Sequence, residues 1–126
     1  MNKAKIKMKA RRRRHRYGLW AEFLCRCLLR LKGYRILAAR YRSPFGEIDI
    51  IAARGAVVAV IEVKARQNMA DAALAFTSPQ RDRLRRSASM FLARHPGLTD
   101  SAIRFDLMLV APLRAPRHIP NAWEGL

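Results

Sequence analysis

Gly46-Glu47-Ile48-Asp49-Ile50-Ile51-Ala52-Ala53 and Val57-Val58-Ala59-Val60-Ile61-Glu62-Val63-Lys64 decide the fold, with Arg54-Gly55 as the turn between them. Each is an apolar run of strand length, and the short link predicts an antiparallel hairpin over residues 47–53 and 57–64. Each run also contains acid: three of the chain's nine carboxylates, Glu47, Asp49 and Glu62, lie here. A buried carboxylate is costly unless cations or hydrogen bonds compensate it. Local conflicts of this kind are expected at functional sites.

Outward from the hairpin, residues 18–32 carry Leu19, Trp20, Phe23, Leu24, Cys27, Leu28 and Leu31 at helical spacing, with Gly33 as the stop. Trp20 and Phe23 are expected in the core. Residues 34–41 read as a strand. Residues 67–76 are Ala-rich and ambiguous, and read as a loop with room for one helical turn. A second helix is expected to open with Ser78 as N-cap and Pro79 at its first position. It should run to about residue 95 and bury Leu84, Ala88, Phe91 and Leu92. Residues 103–110 form a further strand, and three prolines after it leave room for a short edge strand near Ile119. The order α-β-β-β-α-β predicts an α/β domain with a mixed sheet flanked by helices and a crossover helix before the last long strand.

The chain has 126 residues and a formal net charge of +17, from 26 Lys and Arg against 9 Asp and Glu. That charge points to a polyanion, most simply a nucleic acid, DNA or RNA. An acidic membrane surface or a ribosome is the weaker alternative. Residues 3–16 hold nine basic groups; removing them from the +17 leaves +8 for residues 17–126. Residues 1–16, with Arg11, Arg12, Arg13 and Arg14, are expected to be a disordered basic arm that adheres to phosphates. Residues 17–126 are expected to be one domain. No stretch is apolar enough to span a bilayer. Cys25 and Cys27 are expected to stay as free thiols, which fits a cytoplasmic location. His15, His95 and His118 do not cluster in sequence and carry no metal pattern.

Asp49 and Glu62 are predicted to converge from adjacent strands. Two hard oxygen ligands are how Mg²⁺ or Mn²⁺ is commonly held, and such an ion polarises phosphoryl oxygens and activates water. Lys64, two residues from Glu62, stays on its face. The competing reading is a structural ion pair between Lys64 and a carboxylate. Glu22, taken by itself, reads as an i,i+4 partner of Arg26. Glu47 reads first as a partner of a nearby arginine. Asp106 is expected to be structural, accepting from Arg104 or a loop amide.

Asp49 with Glu62-Val63-Lys64 on a hairpin resembles the PD-(D/E)xK pattern of restriction-endonuclease-like nucleases. Ile48-Asp49 stands where that pattern often has Pro-Asp. Gly18, Ala21-Glu22, Leu31-x-Gly33-Tyr34, Gly46-Glu47-Ile48-Asp49, Glu62-Val63-Lys64-x-Arg66 and Arg104-Phe105-Asp106 together resemble the bacterial YraN family, related in fold to Holliday-junction resolvases. The resemblance implies a restriction-endonuclease-like core with Asp49, Glu62 and Lys64 as the catalytic set. It implies Asp49, Glu62 and Glu22 as metal ligands, Glu47 as an additional acid, and Mg²⁺ or Mn²⁺ as cofactor. It implies a Mg²⁺-dependent endonuclease, and resolvase-like relatives imply a homodimer. A non-catalytic nucleic-acid-binding module with a vestigial site is the runner-up. Arg66, Arg81 and Arg83 join the arm as expected phosphate contacts. Gln80 stands where a basic residue is expected.

Overall fold

The structure, a computed structural model, describes residues 2–122. Met1 and residues 123–126, the ends of the expected arm and domain, lie outside the described residues. The elements are α1 (Lys3–Leu31), β1 (Arg35–Ser43), β2 (Gly46–Arg54), β3 (Val57–Ala65), α2 (Met69–Leu74), α3 (Ser78–Ala93), a short 3-10 turn (Pro96–Leu98), β4 (Ala102–Val110) and β5 (Arg117–Ile119). The five strands form one sheet in the order β1-β2-β3-β4-β5. β3 and β4 are parallel, and the other neighbours are antiparallel. The α/β class, the hairpin, the crossover and the edge strand at Ile119 are as expected.

β3 explains the continuous apolar run. It is central and covered on both sides, the setting in which strands lose their polar face. Val58 and Val60 pack with Leu84, Ala88 and Phe91 of α3. Ala59 and Ile61 pack with Ala21, Cys25 and Leu29 of α1. Each helical set recurs at three- or four-residue intervals, one stripe per helix. α1 ends as expected: Gly33 has φ +90°, and the amides of Gly33 and Tyr34 return to the Arg30 and Leu29 carbonyls. Only glycine adopts that backbone at little cost.

Four expectations need correction. The basic arm is helical, continuous with α1 from Lys3, and exposed over residues 3–16. Its Lys, Arg, Ala and Met residues are strong helix formers, and they propagate from a nucleus already fixed by packing. The buried stripe of α1 is Ala21, Glu22, Cys25 and Leu29, rather than the large apolar arc. Trp20 and Phe23 are 55% and 45% exposed. Small residues on the inner stripe let the helix lie close to the sheet and turn Glu22 inward. Residues 69–74 form a complete short helix, opened by Asn68, whose side chain accepts from the Asp71 amide at 2.8 Å. α3 is capped by Thr77 rather than Ser78. Gln80 Oε1 accepts from the Thr77 amide at 3.2 Å, the reciprocal half of a capping box. That role accounts for Gln80 where a basic residue was expected.

Candidate metal centre and nucleic-acid cleft

The register between β2 and β3 runs from Arg54↔Val57 to Ile50↔Ile61. One step further stand Asp49 and Glu62. Here the ladder gives way to a side chain: Asp49 Oδ2 accepts from the Val63 amide at 2.8 Å. The strands part at this point, and the carboxylates fill the fork. Asp49 and Glu62 lie within hydrogen-bonding reach of each other. Burial pushes the Asp49 carboxyl above its ordinary value; the Glu62 charge adds to this, and the Val63 amide opposes it. Glu62 is also raised, by burial first, against the pull of Lys64.

α1 supplies the third acid. Glu22 is 6% exposed, on the inner stripe beside Cys25. Oxygens of Glu22, Glu47 and Asp49 lie within 4.8 Å of one another. Glu62 adjoins this group through Asp49 and pairs with Lys64 Nζ at 3.4 Å. So the three acids brought closest are Glu22, Glu47 and Asp49, with Glu62 beside them. Glu22 is not paired with Arg26. Its partner is Arg40, whose Nε and Nη2 donate at 3.4 and 3.1 Å. Arg40 also lies 3.9 Å from Glu47, and Arg42 lies 3.4 Å from it. The pairing of Glu47 with a nearby arginine is therefore as expected.

Sequence reasoning missed Arg40. Its φ is +55°, a region that non-glycine residues seldom enter and that clusters at functional sites. The available signal was a charged residue between Ala39 and Tyr41 in an apolar strand, the same conflict that marks Glu62. The donor set fits a hard divalent cation. Four carboxylates meet Arg40, Arg42 and Lys64, and Arg42 is 82% exposed, so the acid groups outnumber the cations held against them. Three clustered carboxylates match the oxygen ligation of Mg²⁺ or Mn²⁺.

A cleft of about 390 Å³ opens beside the acids, lined by Arg14, Tyr17, Gly18, Glu22, Asp49, Val63, Arg66 and Gln67. A Cβ at Gly18 would meet nothing within 4 Å, so glycine there leaves the cleft wall low. Arg14 and Arg66 place positive charge next to the carboxylates. On the other side, Arg83 and Gln80 line a smaller cavity with Glu47 and Glu62. Arg81 lies over the Phe76 ring, 5.3 Å from its centroid. Arg11, Arg12 and Arg13 are exposed on α1 and do not line this cleft.

A second polar centre is structural. Asp106 is fully buried and accepts from Arg104 Nε and Nη2, from His118 Nε2 (each 2.8 Å), and from the Asn121 amide at 2.9 Å. Arg104 also reaches the Tyr34 hydroxyl. Lys32 Nζ lies 2.9 Å from His118 Nδ1. An ammonium only donates, so Nδ1 accepts and Nε2–H points to Asp106. Burial works to raise the Asp106 carboxyl, but the bonds from His118, Arg104 and the Asn121 amide outweigh it and hold it at about 2. Both expected partners of Asp106, Arg104 and a loop amide, are present. Cys25 and Cys27 are free thiols, and burial pushes Cys25 up to about 12. Among the described residues, no helix is long and apolar enough to cross a membrane.

Comparison with known proteins places these residues in a family. Residues 21–110 match the model of "Uncharacterised protein family UPF0102". A UPF0102 protein of Parvibaculum lavamentivorans is 49% identical over 110 residues, covering 87% of this chain and 83% of that one. One of Caulobacter vibrioides is 49% identical over 108 residues, covering 86% of each. One of Rhodopseudomonas palustris is 48% identical over 110 residues, covering 87% and 85%. The matched span contains the hairpin, Glu22, Arg104 and Asp106, and the chain belongs to the UPF0102 family.

Proposed function

We infer that this protein is a Mg²⁺- or Mn²⁺-dependent endonuclease with a restriction-endonuclease-like core, acting on DNA or RNA. The observation that carries the reading is the fork of β2 and β3. Asp49 and Glu62 meet there, Glu22 approaches from α1, and Lys64 stands 3.4 Å from Glu62. The element order and the parallel β3–β4 pair also support it. Asp49, Glu22 and Glu62 would hold the ion, with Glu47 at the margin. Such an ion neutralises charge on a phosphoryl oxygen and lowers the pKa of water. Arg14 and Arg66 on the cleft wall would bind the phosphates either side of the scissile bond. Lys64 would orient the attacking water or stabilise charge building on the phosphate. Arg83, beside Glu47 and Glu62, extends the phosphate track along α3.

One observation favours a second reading. Arg40 grips Glu22 and reaches Glu47, and Lys64 already pairs with Glu62, so resident cations stand against the acids. In that reading the protein binds nucleic acid through its basic surface without cutting it. Titration calorimetry with Mn²⁺ and Mg²⁺, followed by cleavage assays on branched, duplex and single-stranded DNA and RNA with metal or EDTA, separates the two. Metal binding with EDTA-sensitive cleavage is expected. Nucleic-acid binding without metal uptake or cleavage overturns the nuclease in favour of the binding module.

A further inference from the structure

The outer face of α1 carries a feature that the cleft does not use. Trp20 and Phe23 stack on each other, centroids 5.7 Å apart at 26°, yet they are 55% and 45% exposed. Leu19, beside them, is 38% exposed. Contiguous apolar surface of this kind marks an interaction site more often than scattered exposed residues do. Arg13 and Arg16 precede the pair, and Arg30 follows it, at intervals of three, four and seven residues that keep all five on one helical stripe. Aromatic rings interleaved with arginines at this spacing are the elements of a single-strand binding platform: bases stack on the rings while cations follow the backbone.

We propose that Trp20 and Phe23, flanked by Arg13, Arg16 and Arg30, stack unpaired bases of a single-stranded nucleic acid. This rests on the nucleic-acid reading above and narrows its substrate to one that presents unpaired bases. Charge selects this occupant over a second copy of the chain. α1 holds eleven basic residues and one acid, Glu22, which is turned inward. Two such helices would oppose like charges along their length, whereas a polyanion is complementary. Duplex DNA also has phosphates, but its bases are already stacked and closed to the rings. Glu22 lies two residues beyond Trp20 on the inner side of the same helix, so a strand crossing α1 would link the platform to the cleft.

The chain has two tryptophans, so a Trp123→Phe background leaves Trp20 as the sole indole reporter. Titration with oligothymidylate of about 20 nucleotides should quench its emission, and a duplex of equal length should not. Trp20→Ala with Phe23→Ala should lower single-strand affinity roughly tenfold or more. Duplex affinity, salt slope and melting temperature should stay unchanged, because no charge or core residue is removed. Trp20→Tyr should retain most of the single-strand affinity. Wild-type single-strand affinity in the double alanine variant overturns this inference alone. Sedimentation of the wild type as a dimer that the double variant converts to monomer also overturns it, in favour of a second copy. A wild type that binds neither probe overturns the nucleic-acid reading itself.

Discussion

Lys64 Nζ lies 3.4 Å from Glu62 with its side chain 11% exposed, and the two readings of the site assign it different work. As a catalytic group it acts on water or phosphate, so Lys64→Ala should cost about a hundredfold or more in cleavage rate and leave metal binding nearly intact. As a structural cation it offsets buried carboxylates, and removing it should destabilise the fold by about 3–5 kcal/mol. Thermal melting and cleavage on one preparation of the variant tell these apart. Asp49 gives the complementary test. Its folded carboxyl is raised above the unfolded value, chiefly by burial. The folded state therefore favours the protonated form, and stability without metal should fall as pH rises from the ordinary carboxylate range through the raised value. Asp49→Asn should shrink that decline to the part that the raised Glu62 contributes and raise the metal-free melting temperature at neutral pH, since an amide oxygen still accepts from Val63. Millimolar Mn²⁺ should raise the melting temperature of the wild type by mass action and do little for Asp49→Asn. A wild type indifferent to Mn²⁺ in differential scanning fluorimetry would count against the metal centre.

At the scale of elements, the hairpin is legible in sequence because a central strand covered on both faces needs an unbroken apolar run, and Glu62 and Lys64 interrupt it. α3 is legible through its own periodicity, apart from a one-residue shift of the cap that Gln80 decides. α1 misleads for a physical reason. Its largest apolar residues sit outside, and its buried stripe is the small set Ala21, Cys25 and Leu29 with Glu22, so hydrophobic spacing points to the wrong face. Arg40 escapes because its importance comes from a left-handed backbone and from Glu22 eighteen residues away. The Asp106 centre joins the end of α1, β4 and β5 through Tyr34, Arg104, His118 and the Asn121 amide. The folded Asp106 value of about 2 is below the ordinary 3.8. Its contribution is therefore complete above the unfolded value and is lost as pH falls from about 4 through about 2, an effect of roughly 2 kcal/mol. Asp106→Ala should remove this acid sensitivity. It should also destabilise the fold by about 3–5 kcal/mol at neutral pH, because Arg104 loses its buried partner. Chemical denaturation of both proteins at several pH values measures the two effects.

Across the whole molecule, four carboxylates gather at one fork inside a protein of net charge +17. A basic exterior raises the local concentration of a polyanion and guides it inward, while the acidic centre repels it unless a cation is present. On the proposed nucleic-acid reading, engagement at the cleft should therefore depend on metal, and engagement of the exterior should not. Residues 3–16 of α1 contribute nine of the basic groups on an exposed helix about 21 Å long, and Arg14 carries that charge to the cleft wall. Deleting residues 2–16 removes no buried side chain, so the melting temperature should change little. Every phosphate that the deletion leaves without its cation should lower the slope of log K against log salt by about 0.9 on duplex DNA and about 0.7 on single strands. A helix with nine cations should neutralise several phosphates, and the truncated protein should keep a shallower slope from its remaining +8. Fluorescence anisotropy over a salt series measures both slopes. Equal slopes for the full and truncated chains would show that the helix neutralises no phosphates, and the positive charge that matters would then lie on α3 and around the cleft.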